Sequence, residues 1–256
     1  MNNEKNPPVK AAFFLGMFCG KSLKPTILLF YSLFAMTFWW YLPPKFLPSD
    51  APNRAAIFGE QAMNAAALEA EIGSARLEVR LFAALILFGV IPALIVKFLF
   101  REKLSDYGVR LGNHFTARSL LIFTPVMILL AWLAAFNGGF RLIYPYNPDA
   151  LSGHGAFGFH SVLCALCFYP AWEFFFRGFL QHGLEDSCGL FNAVLIQSLA
   201  AAMLHFGHPM TETLGAFGGS IFWGFLVLRT RSLLAGTVQH AALGIALNWF
   251  LVRYLF

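Results

Sequence analysis

Long runs of apolar residues restrict the fold of this chain more than any other feature of its sequence. A helix needs roughly 20 apolar residues to cross a bilayer. Only 12% of the residues are charged, whereas soluble domains average about 25%, so too few charges are present to coat a globule. The sequence therefore predicts an all-α fold, a polytopic membrane helix bundle of about seven to eight transmembrane helices. We place its apolar stretches at about 25–42, 80–100, 118–136, 156–184, 188–207, 213–228 and 233–255.

Three regions follow from this pattern. Residues 1–24 form a basic N-terminal lead, residues 25–100 hold the N-terminal spans, and residues 101–256 form a membrane core. Residues 53–80 are Ala-rich with charges at helical spacing, which predicts an extramembrane helical segment before the second span.

The positive charges indicate how the chain is oriented. The formal net charge is +5, and Lys and Arg cluster before the first span, after the second and after the sixth. Such clusters favour the cytoplasmic side, so we expect the N terminus inside and the C terminus outside. The sequence has no basic stripe with interleaved aromatic residues, so it does not indicate nucleic-acid binding. The expected partner is the lipid bilayer. The spacing of the four cysteines suggests no disulfide framework.

Ionisable residues inside the apolar stretches are the candidate functional groups, because charge in the bilayer core is costly. Glu173 and His205 each lie 16 residues from Gly189, the predicted turn between stretches four and five. In an antiparallel hairpin they share one height, with an estimated depth of about 14 Å. His240 lies eight residues after the loop that precedes the last stretch, which places it at a depth of about 12 Å from the same side. The sequence thus predicts one polar site that contains all three side chains.

Two further residues belong to this prediction. Arg177 lies four residues after Glu173, on the same helical face, and a purely structural ion pair is one interpretation of that spacing. Asn248 lies eight residues after His240, on nearly the same face.

Such a set of side chains can activate water. A desolvated Glu acts as a general base, a neighbouring His orients the water or carries the proton, and a second His donates hydrogen bonds to a developing oxyanion. The same Glu/His/His set could bind zinc, but no HExxH sequence supports this. We therefore predict catalysis with no cofactor.

Three segments resemble the motifs of a known family, the CAAX-protease and bacteriocin-processing family of intramembrane proteases. Ala171–Leu180 reads AWEFFFRGFL and is similar to the first motif, Glu-Glu-x-x-x-Arg. Ala200–Pro209 reads AAAMLHFGHP and is similar to the second, which centres on a His. Gly218–Asn248 resembles the closing stretch, which leads to a final His. The resemblance covers roughly residues 100–256 and identifies them as a membrane core of this catalytic type.

The resemblance implies catalytic roles that the spacing of the residues does not indicate by itself. Glu173 and His205 would activate water, His240 would polarise the scissile carbonyl, and Arg177 would hold the Glu region in place. An Asn one turn after the last His would complete the oxyanion site.

The sequence departs from the family pattern at three positions. Trp172 replaces the first Glu of the pair, Ala201 replaces a Phe, and Gly244 stands where the Asn is expected. The candidate amides to replace that Asn are Asn248, Asn192 and Gln197.

We therefore predict an intramembrane endopeptidase of a bacterial cytoplasmic (inner) membrane. It would cleave a membrane-associated protein or peptide near its terminus, such as a C-terminal sorting tail or a prenylated or bacteriocin-like substrate. The Trp-Glu-x-x-x-Arg form resembles a bacterial, myxosortase-like branch. One alternative is an inactive family member that binds membrane segments or partners. Another is a small transporter with an intramembrane proton site.

Overall fold

A computed structural model describes residues 23–41, 80–141, 144 and 154–255 of the chain. The predicted lead and almost all of the predicted segment near 53–80 lie outside these ranges. In the part that is described, the chain is helical apart from its turns. The helices that matter below are α1 (Leu23–Tyr41), α2 (Arg80–Leu99), α3 (His114–Ala134), α4 (Phe157–Cys188), α5 (Leu190–Met203), α6 (Met210–Thr230) and α7 (Leu234–Leu255).

Five of these helices, α2, α3, α4, α6 and α7, are long and apolar enough to cross a membrane. The predicted all-α membrane bundle is therefore confirmed, and each predicted apolar stretch corresponds to one helix. The fifth stretch was predicted too long. Helix α5 has only 14 residues, which at 1.5 Å per residue is about 21 Å.

Local chemistry explains two of the helix ends. Asn113 caps α3, since its side chain accepts a hydrogen bond from the backbone N–H of Phe115 at 3.0 Å, so α3 begins four residues before the predicted stretch. Gly189 has φ +84°, a left-handed conformation that favours glycine. It separates α4 from α5 at the predicted turn.

The basic loops lie together at one end of the bundle. Arg110 Nε donates to the carbonyl of Arg231 at 2.6 Å, and the N–H of Leu233 donates to Gly108 at 3.0 Å. Arg231 Nη1 also contacts Glu185 Oε2 at 2.7 Å, near the end of α4. The loop after α2, the loop after α6 and the turn after α4 therefore share one side, as the charge pattern predicts.

Helix α4 is the central helix of the described bundle. Residues 171–184 are all buried, and a helix that is covered on every face must lie inside its bundle. Its aromatic residues pack with those of α1 and α2: the Trp172 ring lies 5.8 Å from the rings of both Trp39 and Phe88. Any polar side chain on this part of α4 is consequently held away from lipid.

Candidate active site

Glu173 and His240 meet in the interior of the bundle. His240 Nδ1 lies 2.8 Å from Glu173 Oε1, and the two residues are 67 positions apart in sequence. Because a carboxylate only accepts, Nδ1–H donates this bond, and in the neutral ring Nε2 carries the lone pair. The predicted proximity of these two side chains is therefore confirmed.

Arg177 balances the charge of Glu173. Its Nη1 lies 3.3 Å from Glu173 Oε1, and both side chains are essentially inaccessible to solvent. Its Nη2 donates to Ser220 Oγ on α6 at 2.9 Å. Removing one partner of such a buried pair leaves an uncompensated charge, so the pair fixes the Glu173 carboxylate within α4.

The two oxygens of Glu173 have different surroundings. Oε1 contacts both His240 and Arg177, whereas Oε2 is buried with no hydrogen-bond partner among the described residues. Oε2 faces Gly236 on α7, where an added Cβ would lie only 2.9 Å away. A buried acceptor without a partner is costly, so Oε2 is the oxygen of Glu173 that can accept a further hydrogen bond.

Aromatic rings enclose His240. The Trp223 ring stacks on it at 4.7 Å with an angle of 26° between the planes, and the Tyr169 ring lies 4.9 Å away. Trp223 is itself fixed, since its Nε1–H donates to Gln239 Oε1 at 3.1 Å. Gln239 in turn donates to Ser119 on α3 at 2.8 Å. The imidazole is therefore oriented by both packing and hydrogen bonding.

His205 lies in the turn after α5 rather than within a span, because that helix ends at Met203. Its Nδ1 donates to the carbonyl of Ala201 at 2.9 Å, which leaves Nε2 as the proton acceptor of the neutral ring. It forms no hydrogen bond with Glu173 or His240. The Trp172 ring is near both histidines, 6.0 Å from the His205 ring and 6.4 Å from the His240 ring.

The candidate amides are placed elsewhere. Gln197 is fully buried and donates to the carbonyl of Ser220 at 3.0 Å, while Asn192 donates to Cys188 at 2.8 Å at the basic-loop end. Asn248 Oδ1 is buried with no hydrogen-bond partner among the described residues, and it lies two turns beyond His240 on α7.

Sequence reasoning did not identify Tyr169, Trp223 or Gly236 as neighbours of the site. Tyr169 carried a usable signal, because it lies four residues before Glu173 and so shares its face. The sequence gives no such signal for Trp223 or Gly236, since their positions depend on how α6 and α7 pack against α4.

The arrangement provides a buried carboxylate, a fixed guanidinium and two imidazoles, whose Nε2 atoms accept or donate according to the protonation of each ring. Such a set is suited to acid–base chemistry on a bound amide. Within the described ranges, no three His, Cys, Asp or Glu side chains are grouped so as to hold a metal ion. Catalysis without a cofactor stays a prediction.

Comparison with known proteins identifies one family. Residues 155–246 match the family model described as Type II CAAX prenyl endopeptidase Rce1-like. The matched range contains Glu173, Arg177, His205 and His240, whereas Asn248 lies beyond it. No curated protein and no solved structure matches the chain. The match confirms the resemblance drawn from the three motifs and supports a protease at the family level, while the myxosortase-like branch stays a prediction.

Proposed function

Since residues 155–246 match the Rce1-like endopeptidase family, we propose that the chain is an intramembrane endopeptidase that hydrolyses a peptide bond near the terminus of a membrane-associated polypeptide. The observation that carries this proposal is the hydrogen bond between His240 and the fully buried Glu173. Ionisable groups within spans are functional by default, because burying them has a cost that structure alone seldom offsets.

The proposed reaction uses the two oxygens of Glu173 differently. Oε1 holds His240 and Arg177, and Oε2 accepts a hydrogen bond from the attacking water. His205, through Nε2, is the second acceptor that orients this water and takes up its proton. The water oxygen then bonds to the carbonyl carbon.

His240 acts on the other side of the scissile bond. With Nδ1 fixed on Glu173, its Nε2 in the protonated ring donates to the carbonyl oxygen as negative charge develops there. Such preorganised donors are worth about 10²–10³-fold in rate each. Collapse of the tetrahedral intermediate re-forms the C=O bond and breaks the C–N bond, and the leaving nitrogen takes the proton that His205 removed from the water.

The family match and the membrane setting support a proposed substrate class. The substrate is a polypeptide held at the bilayer, such as a C-terminal sorting tail or a prenylated C-terminal peptide. Because α2, α3, α4, α6 and α7 are long enough to cross a membrane, the scissile bond is reached from within or beside the bilayer of a bacterial inner membrane.

The test uses the full chain in proteoliposomes with two fluorogenic peptides, one ending in an isoprenylated Cys and one in an apolar tail. Glu173→Gln, His205→Ala and His240→Ala are each expected to lower kcat at least about 100-fold. The matched control is Glu185→Gln, which makes the same chemical change on the same helix at the basic-loop end, and it should retain activity. A chelator should leave the wild-type rate unchanged.

Other results would favour the other functions. Cleavage that survives Glu173→Gln would contradict the role of this carboxylate. Trp172 in place of the first Glu of the motif favours the inactive alternative, for which the wild type should bind the peptide tightly without cleaving it. A proton flux that needs no peptide and is lost in Glu173→Gln would indicate a transporter.

A further inference from the structure

Tyr169 brings a hydroxyl group to the same face of α4 as Glu173. The two residues are four positions apart, one helical turn, and Tyr169 is 8% exposed. Its ring lies 4.9 Å from that of His240. The phenol therefore belongs to the immediate surroundings of the site and not to the lipid-facing surface.

A glycine on α7 determines where the hydroxyl lies. A Cβ added at Gly244 would lie 1.8 Å from Tyr169 Oη, so the hydroxyl occupies the volume in which any side chain at position 244 would begin. Gly244 is four residues after His240, and Cβ positions at this spacing are about 5–6 Å apart on one face. The α7 face thus presents an imidazole and, one turn further, a phenol supplied by α4.

We propose that Tyr169 is a further catalytic residue, whose hydroxyl donates a hydrogen bond to the oxyanion formed at the scissile carbonyl, beside His240. This inference rests on the proposed endopeptidase function. When water adds to the carbonyl carbon, the electron pair of the C=O π bond moves to oxygen, and Tyr169 stabilises that charge without giving up its proton. When the C=O bond re-forms, the C–N bond breaks and the hydrogen bond weakens.

Chemistry and geometry support this role together. A phenol is a good donor to an oxyanion but no base at neutral pH. Its ring is held against His240, so the donor is preorganised, which is the condition under which such groups lower a barrier. A glycine inside a helix also has a conformational cost, and here its missing side chain admits the hydroxyl.

The deciding variant is Tyr169→Phe, which removes one oxygen and keeps the ring packing. In proteoliposomes with the fluorogenic peptides, we expect kcat to fall roughly 100-fold while KM stays within about threefold. A peptide aldehyde, which forms a tetrahedral adduct with water, should lose affinity by a similar factor. A reduced-amide peptide, which has no carbonyl oxygen, should bind as well as it does to the wild type.

The matched control is Tyr31→Phe. The Tyr31 hydroxyl donates to the carbonyl of Leu87 at 2.6 Å, between α1 and α2, so this variant removes a partly buried phenol oxygen whose role is structural. It should leave kcat and aldehyde affinity unchanged. A kcat for Tyr169→Phe within about threefold of the wild type, or equal losses in both variants, would overturn the inference.

Two outcomes separate this inference from the proposed function. Normal cleavage by Tyr169→Phe with loss of cleavage in Glu173→Gln overturns the inference alone. No cleavage by the wild type overturns both. Should Tyr169→Phe fail to fold, 3-fluorotyrosine at position 169 keeps the hydroxyl and makes it more acidic. A kcat that changes with this acidity supports the inference, and an unchanged kcat overturns it.

Discussion

At the scale of single residues, two glycines of α7 leave the space that polar atoms of α4 occupy at the site. Gly236 and Gly244 lie one turn before and one turn after His240 on α7. Each leaves room for a polar atom of α4, Glu173 Oε2 at the first and Tyr169 Oη at the second. Polar groups from two helices approach closely because one helix has no Cβ at these points.

This packing gives a prediction for Gly236→Ala. The variant removes no functional group, and helix propensity alone would stabilise it by about 1 kcal/mol. The new Cβ would lie 2.9 Å from Glu173 Oε2, so we expect the carboxylate to shift and kcat to fall at least about tenfold, since small displacements at a reacting group are costly. Peptide cleavage and the apparent melting temperature are the measurements.

Gly218→Ala is the control for this prediction. It is also a helical glycine, on α6, and nothing lies within 4 Å of its added Cβ. It should keep full activity and melt no lower than the wild type. Equal activity of Gly236→Ala and Gly218→Ala would contradict the contact between Gly236 and Glu173.

At the scale of helices, α4 organises the site because its neighbours surround it. Two π-helical stretches, Cys164–Phe168 and Phe174–His182, lie on either side of the turn Tyr169–Glu173. Trp172 in this segment is 4% exposed, and its ring packs against aromatic rings of α1 and α2 and lies near both histidines. Residue 172 thus contacts both the N-terminal helices and the site.

Trp172→Glu, which would restore the two-glutamate form of the motif, is expected to harm the protein. It removes an indole from an aromatic cluster, a change that costs about 3–5 kcal/mol when a Trp is truncated, and it buries a second carboxyl group near Glu173. We expect a strongly lowered apparent melting temperature and no gain in cleavage. Trp172→Phe should be the milder change in both assays. A Trp172→Glu protein that is stable and more active would show that the cluster accommodates a second acid.

The sequence predicted the parts of this arrangement that follow from helical geometry. Glu173 and Arg177 share a face because of their spacing, and Glu173 meets His240 because their distances from the loops place them at similar heights. The end of α5 was not predictable in this way, since the apolar run continues to His205 although the helix stops at Met203. Nor were the environments of Trp172 and Gly244, because both depend on side chains of other helices.

At the scale of the whole molecule, contacts among the loops define two ends. The end with Arg110, Arg231 and Glu185 carries the basic loops. Lys24 at the start of α1 contacts Glu102 at this end at 2.8 Å. Helix α3 runs from here to the opposite end, where Gly138 follows it.

The orientation prediction can be tested by cysteine labelling. In a chain with all four native cysteines replaced by Ala, Leu111→Cys and Gly138→Cys mark the two ends of α3. Leu111 is 83% exposed, and Gly138 has open space around it. A membrane-impermeant maleimide should label Leu111→Cys only in inside-out vesicles and Gly138→Cys only in right-side-out vesicles. The reverse pattern would place the basic loops outside the cell and contradict the assignment from positive charge.

The short helix α5 has a consequence for the surrounding lipid. It spans about 21 Å, whereas the hydrocarbon layer is about 30 Å thick, and its exposed side chains include the apolar Leu190, Phe191, Leu199 and Met203. A hydrophobic segment shorter than the bilayer draws the bilayer inward around itself. If the proposed function holds, we expect the membrane beside α5 to be locally thinned, which would shorten the hydrocarbon path of a polypeptide anchored at the head groups to His205.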